Sequence, residues 1–249
     1  MFYFDEIKGK KVLKSTLLKG LDHFFTTRES IIKSKDPSFE SIVNQNISDF
    51  CNYFNIAEKD FIHPSQTHTS NVEIAEINKN DYPDTDALIL TNYEQAVFLN
   101  FADCTPIIFY DSINNIAAVS HAGWRGTAGK IGVKTVEKMC STFNSKPENI
   151  KAVIGPAISL CCYNVGKEVY DQLISTVKNK NNLSKIKNDE IYVDLKAINQ
   201  RQLEEAGVKE IDVCGYCTVC NNDLFFSYRK ENATTNRHSA VIKLTQTSR

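Results

Sequence analysis

Three short segments of the chain each end an apolar, β-type run on a side chain that can bind a metal or activate a nucleophile. They are Ser65-Gln-Thr-His68, Phe101-Ala-Asp-Cys104-Thr-Pro106 and Val119-Ser-His121-Ala-Gly-Trp-Arg125-Gly-Thr127. Strand ends and the loops after them are where α/β proteins place reactive groups. Two imidazoles and a thiolate make a three-ligand set for Zn²⁺ and leave the fourth tetrahedral position to water or substrate. Taken singly, each of these residues is more often a packed core side chain, since free cysteine behaves as a small hydrophobe. The ligand reading gains weight at His121, which opens a glycine cluster holding the only tryptophan. The ligands lie 36 and 17 residues apart, so only the fold can bring them together.

The chain has ten glycines in 249 residues, and four of them (Gly123, Gly126, Gly129, Gly132) fall within ten positions. Glycines that open a helix can leave backbone N–H groups free for an anion, or can let a helix press closely on a strand. Both uses fit this sequence. A phosphate-binding P-loop does not, because the glycine spacing is wrong and Ile131 follows Lys130. Arginine is scarce, six against 23 lysines. Arg249 is terminal and Arg201 falls on an exposed helix face. Arg28, Arg125, Arg229 and Arg237 sit at strand ends or inside motifs, where planar bidentate anion recognition is one use and ordinary ion pairing the other.

Of the eight cysteines, Cys161 and Cys162 are adjacent, and neighbours in an extended chain point to opposite sides, so both read as packing residues. Cys214-Gly-Tyr-Cys217-Thr-Val-Cys220 resembles a CxxC knuckle but has no second CxxC to complete four ligands.

Period-2 and period-3.6 patterns supply the elements that must position these groups. Residues 2–15 and 22–27 read as β, and 38–55 as an amphipathic helix. Strands follow at 61–64, 70–76, 86–91, 96–101, 106–111 and 115–120, then a helix at 127–142, a strand at 150–154 and a helix at 166–178. The polar segment 178–189 reads as a loop. Asp194 caps a helix at 195–206 that Gly207 closes. Strands at 211–214, 224–228 and 238–244 finish the chain. No linker divides it, so residues 1–249 are expected to form a single α/β domain with mixed sheets.

A net charge of −1 argues against binding nucleic acid through phosphate neutralisation. No apolar run approaches the roughly 20 residues of a membrane span, and the N-terminus lacks the basic and apolar regions of a signal peptide. The expected location is the cytoplasm, with reduced thiols.

Together the motifs resemble the YfiH-like family of laccase-domain proteins, once described as multicopper polyphenol oxidases. The resemblance rests on Gln66-Thr-His68, Asp86-Ala-Leu, Ala102-Asp-Cys104-Thr-Pro106, His121-Ala-Gly-Trp-Arg-Gly-Thr127, Gly155-Pro-Ala-Ile158, Cys162-Tyr-Asn-Val-Gly166, Cys217-Thr218 and Phe225-Phe-Ser-Tyr-Arg229 in family order. It implies an α/β/β/α sandwich similar to the catalytic domain of cytotoxic necrotizing factor toxins. It also implies a zinc-dependent purine nucleoside phosphorylase acting on adenosine, inosine and 5′-methylthioadenosine with phosphate, and deaminating adenosine. The family's metal ligands map onto His68, Cys104 and His121. Thr235-Asn-Arg237 stands where the family has Thr-Gly-Arg, which lowers the expectation for Arg237.

On this reading Arg28, Arg125 and Arg229 hold phosphate or substrate, and Asp86 transfers a proton. The partners are small molecules, and the protein is a monomer or homodimer. Copper fits the same donor set as zinc, although five histidines are few for multicopper chemistry. The alternatives are a Cys104–His121 hydrolase or amidase acting on peptidoglycan precursors, a copper-binding polyphenol oxidoreductase, and a zinc-stabilised binding module without catalysis.

Overall fold

A computed structural model describes residues 1–246, so Arg249 lies outside the described residues. The chain opens with strands β1 (Phe2–Ile7), β2 (Lys10–Ser15) and β3 (Leu21–Thr26), followed by helix α1 (Glu40–Phe54). Six strands come next: β4 (Phe61–Ile62), β5 (Val72–Ile74), β6 (Ala87–Leu90), β7 (Ala96–Phe101), β8 (Thr105–Asp111) and β9 (Ile116–Ala122). Helices α2 (Trp124–Ala128) and α3 (Ile131–Phe143) lead to β10 (Ile150–Ile154), β11 (Asn164–Val165) and α4 (Lys167–Ile174). The chain then runs through β12 (Ser184–Lys187), β13 (Glu190–Val193), α5 (Leu195–Glu205), β14 (Glu210–Val213) and β15 (His238–Leu244).

Two six-stranded mixed sheets, ordered β1-β2-β3-β15-β7-β4 and β14-β10-β8-β9-β6-β5, face each other. Strand alternation explains the layering, because successive side chains point to opposite faces. From the first sheet Val97, Leu99, Phe101, Ala240 and Ile242 meet Ile108, Tyr110, Ala117 and Val119 of the second in a shared core. The intervening residues Ala96, Phe98 and Val241 turn outward, where Phe50, Cys51 and Phe54 of α1 cover them. On the other side Ile107, Phe109 and Ala118 pack under Val136 and Met139 of α3 and Leu203 of α5. The order of layers is helix, sheet, sheet, helix, as expected.

Four local features differ from the sequence reading. The first β segment is a hairpin, turned at Lys8 and Gly9 with φ of 52° and 72°. The helix expected over 127–142 is two helices, broken where Lys130 takes a left-handed conformation (φ 56°) after Gly129. The polar segment 178–189 contains β12 and runs into β13 through a two-residue turn, Asn188-Asp189, with both φ positive. That is the primed turn that matches strand twist, and the exposed faces of β12 explain its lack of an apolar signal. No strand forms at 224–228; Phe225 and Phe226 are buried from a turn instead. Asp194 does cap α5, accepting from the Ala197 N–H at 3.0 Å.

Two buried histidines make the fold acid-sensitive. Burial lowers His23 to about 4 and His238 to about 3, from 6.5. The Ser15 N–H donates to His23 Nε2 at 3.1 Å, which requires a neutral ring. The unfolded chain takes up these protons near pH 6.5 and the native state does not, so stability is full above 6.5 and falls as pH drops toward about 4. Each histidine contributes a slope approaching 1.4 kcal/mol per pH unit inside its window. Denaturant titrations through that interval should show the decline, and a flat profile would contradict it.

Candidate metal centre and its cavity

The shared architecture places the three sequence-predicted ligands at one end of the second sheet. His121 lies on β9, in register with Pro106 of β8, and Cys104 immediately precedes β8. His68 stands in the loop between β4 and β5, with a positive φ of 65°. Cys104 Sγ lies 3.9 Å from His68 Nε2, and one donor atom from each of the three residues falls within 4.8 Å of the others. The His68 and His121 rings meet edge to face at 4.8 Å.

Glycine makes this closeness possible. A Cβ on Gly123 would sit 2.9 Å from Cys104 Sγ and 3.2 Å from a His68 ring carbon. At Gly126 it would meet the His121 carbonyl at 3.0 Å and that of Thr69 at 3.3 Å. The glycine cluster therefore serves close packing of α2 on the ligand loops. Of its two sequence readings, close packing is the one these contacts show.

Asp86 is the organiser beneath the ligands. Its carboxylate is fully buried and accepts from His121 Nδ1 at 2.7 Å, from the N–H groups of Thr67, His68 and Thr69, and from Thr69 Oγ1. Its own carbonyl accepts the His121 N–H at 2.7 Å. Burial would raise its pKa, but the His121 and Thr69 hydrogen bonds outweigh that and hold it below the usual carboxylate range. With Nδ1 engaged, His121 is left Nε2 for a ligand, the carboxylate–histidine arrangement typical of metal sites. Asp86, the expected proton-transfer residue, does not line the cavity; its carboxylate meets His121 Nδ1 instead.

Burial alone would raise the Cys104 thiol, yet the His121 and His68 imidazoles bring it down to about 6. Burial would lower His121, yet Cys104 and Asp86 raise it to about 9. The site thus favours a thiolate, the form that binds a soft metal and attacks as a nucleophile. Two nitrogens and a sulfur converging from opposed loops, with one imidazole pinned from behind, fit a tetrahedral ion with an open position.

The three residues border a cavity of about 850 Å³. Lys33, Lys35, Arg125, Arg229 and Arg237 also line it. The one lining carboxylate, Asp103, is tied to Thr218 Oγ1 at 2.6 Å and to the Arg229 N–H at 2.7 Å. The balance of the wall is cationic. Arg125 stacks on Trp124 at 4.3 Å and is in no ion pair among the described residues. Arg229 reaches Asn164 and stacks on Tyr163 at 5.5 Å. Arg28, expected to hold phosphate, does not line the cavity: it makes a bidentate pair with Glu231 at 3.0 and 2.9 Å and stacks on Phe226 at 4.3 Å. Arg237, discounted in the sequence, is at the wall. Tyr163 and Tyr228, inside two of the quoted motifs, line it too; their aromatic type was the available signal. Burial raises Tyr163 to about 12, so its hydroxyl stays a donor.

Fold and site together define an α/β/β/α protein whose cavity carries a His/Cys donor set able to hold a metal, and the comparisons give it a family. Residues 31–245 match the family described as multi-copper polyphenol oxidoreductase laccase, and the chain belongs to it. A solved relative, the hypothetical protein YfiH of Bacillus licheniformis, superposes with a TM-score of 0.87 at 27% identity, over 97% of this chain and 99% of that one. The purine nucleoside phosphorylase YlmD of Bacillus subtilis (strain 168) is 38% identical over 162 residues, 62% of this chain and 57% of that protein. The adenosine deaminase RL5, from an unknown prokaryotic organism, is 34% identical over 185 residues, covering 69% of this chain and 70% of its own. Among the described residues no helix is long and apolar enough to cross a membrane.

Proposed function

We propose that this protein is a zinc-dependent purine nucleoside phosphorylase that also deaminates adenosine. The observation that carries the reading is the convergence of His68, Cys104 and His121 at a cavity with a cationic wall. The relatives named for phosphorolysis and for adenosine deamination support the substrate class. His68, Cys104 and His121 would hold the ion, which when bound supplies a Lewis acid and a source of hydroxide near neutral pH. Arg125, Arg229 and Arg237 attract phosphate and orient it toward the ribose anomeric carbon, matching planar guanidinium to oxyanion. Tyr163 and Tyr228 offer aromatic faces to the purine. Asp86 fixes the tautomer and direction of His121. Incubated with zinc, adenosine and phosphate, the protein should release adenine and ribose 1-phosphate, and without phosphate it should form inosine. Formation of neither product would contradict the proposal.

Arg125→Met should raise KM for phosphate by roughly tenfold or more, the scale of a lost charge-assisted hydrogen bond, and slow phosphorolysis more than deamination. Equal loss of both would remove Arg125 from the phosphate site.

A second reading makes Cys104 the nucleophile of an amidase or hydrolase, favoured by its imidazole-stabilised thiolate. Chelation separates the two. Activity that disappears with the metal and returns on adding zinc supports the first; full activity in chelator supports the second.

A further inference from the structure

Away from the cavity, four other cysteines form a cluster. Cys161 Sγ lies 3.4 Å from Cys162 Sγ and 3.6 Å from Cys220 Sγ, Cys162 Sγ lies 3.5 Å from Cys220 Sγ, and Cys217 completes a set whose sulfurs are all within 4.8 Å. None of the four lines the cavity. From these contacts we infer a second metal site: one zinc ion held by the thiolates of Cys161, Cys162, Cys217 and Cys220.

Geometry favours a single ion. Four sulfurs at Zn–S ≈ 2.3 Å on a tetrahedron are ~3.8 Å apart, close to the separations here. They are too far apart for disulfides, whose sulfurs are ~2.05 Å apart. They are also too tightly gathered to surround a multi-iron cluster. Each sulfur approaches more than one other, as a shared ion requires and two separate pairs do not.

The backbone explains how the sequence achieves this. Residues 160–162 form a turn in which the N–H groups of Cys162 and Tyr163 both bond the Ser159 carbonyl, at 2.9 and 3.0 Å. The adjacent cysteines therefore present both sulfurs to one side, which an extended chain would forbid. The knuckle is Cys217-Thr-Val-Cys220. Cys214, its apparent first member, is buried in the core between the sheets. Lys196, buried nearby, donates to the carbonyls of Cys214 and Tyr216 at 2.7 and 3.1 Å and adds a positive charge beside an anionic centre.

An ion here would join the segment after β10 to the segment after β14, which otherwise meet at the bridge between Ala157 and Cys217. Both reach the residue before Cys104: the Ile158 N–H donates to the Asp103 carbonyl at 3.0 Å, and Thr218 and Arg229 hold the Asp103 carboxylate. Asp103 has a φ of 81°, a conformation that neighbours must impose. The second ion would thus brace the cavity wall that carries Tyr163 and Arg229 without touching substrate.

Zinc content and thiol accessibility test this. Protein produced with zinc and dialysed without chelator should carry about two ions per chain, and Cys104→Ala about one. In Cys104→Ala loaded with cobalt(II), thiolate-to-metal charge transfer should report four sulfur ligands. Alkylation mapped by mass spectrometry should find Cys161 and Cys220 protected until chelator is added, exposed though they are in the protein surface. A Cys217→Ser/Cys220→Ser protein should lose one ion; should that variant fail to fold, the cobalt and alkylation results on Cys104→Ala still decide. The proposal is overturned if Cys104→Ala holds no metal, if Cys161 and Cys220 react at once in the zinc-loaded protein, or if mass analysis finds them in disulfides. These readouts do not depend on nucleoside turnover, so they stand apart from the proposed activity.

Discussion

Replacing Cys104 with alanine should lower phosphorolysis and deamination by more than the ~100-fold that losing a ligand's outer partner costs, and should empty the ion from the cavity site. The expectation follows from the ligand count. With one donor removed only His68 and His121 remain to bind an ion, too few to retain it, and the thiolate that the two imidazoles stabilise is gone. Inactivity of Cys104→Ala would also follow if Cys104 were a nucleophile, so His68→Ala is the informative companion. A Cys104–His121 pair backed by Asp86 needs no second imidazole, whereas a three-ligand ion does. Steady-state assays with metal analysis of both variants should therefore show matched losses. A His68→Ala enzyme with near-native activity would contradict the metal reading.

Asp86→Ala should be the most destabilising single substitution in the site. It would leave the buried His121 Nδ1 and the N–H groups of Thr67, His68 and Thr69 without the carboxylate that accepts from them. Breaking a buried charged network by deleting one partner costs about 3–5 kcal/mol. For a chain of this size each kcal/mol moves Tm by ~2–4 °C, so melting should fall by roughly 10 °C. Zinc affinity should weaken ~10–100-fold, since the carboxylate orients a ligand. Asp86→Asn should keep more of the stability but turn an NH₂ group toward donors, and zinc binding should still suffer. Melting curves and competitive zinc titration check both parts. An unchanged affinity in Asp86→Asn would mean that Asp86 supports the fold and not the ligand.

The same residues show what a sequence can and cannot convey. His68, Cys104 and His121 were visible because ligand-type side chains at strand ends are chemically distinctive, and β15 and β10 because apolar runs bounded by breakers have few alternatives. The layers were legible through alternation on β7, β8, β9 and β15. For Arg28, type and position suit an anion equally well whether that anion is a phosphate or Glu231, so its pairing with Glu231 was not legible in the sequence. The sequence does not reveal that three N–H groups of residues 67–69 converge on the Asp86 carboxylate, since only the loop's path brings them there. The hairpin at β12–β13 escaped because its strands expose most of their side chains, so no apolar period marks them. Cys161 and Cys162 were dismissed by a rule for extended chains that a turn suspends.

The most direct measurement is an anomalous difference map at the zinc absorption edge, from crystals of the zinc-loaded protein. The account predicts a peak ~2.0–2.3 Å from His68, Cys104 and His121 donor atoms, with the fourth side open to the cavity. A map with no peak among these three residues, from protein that phosphorolyses adenosine, would contradict it.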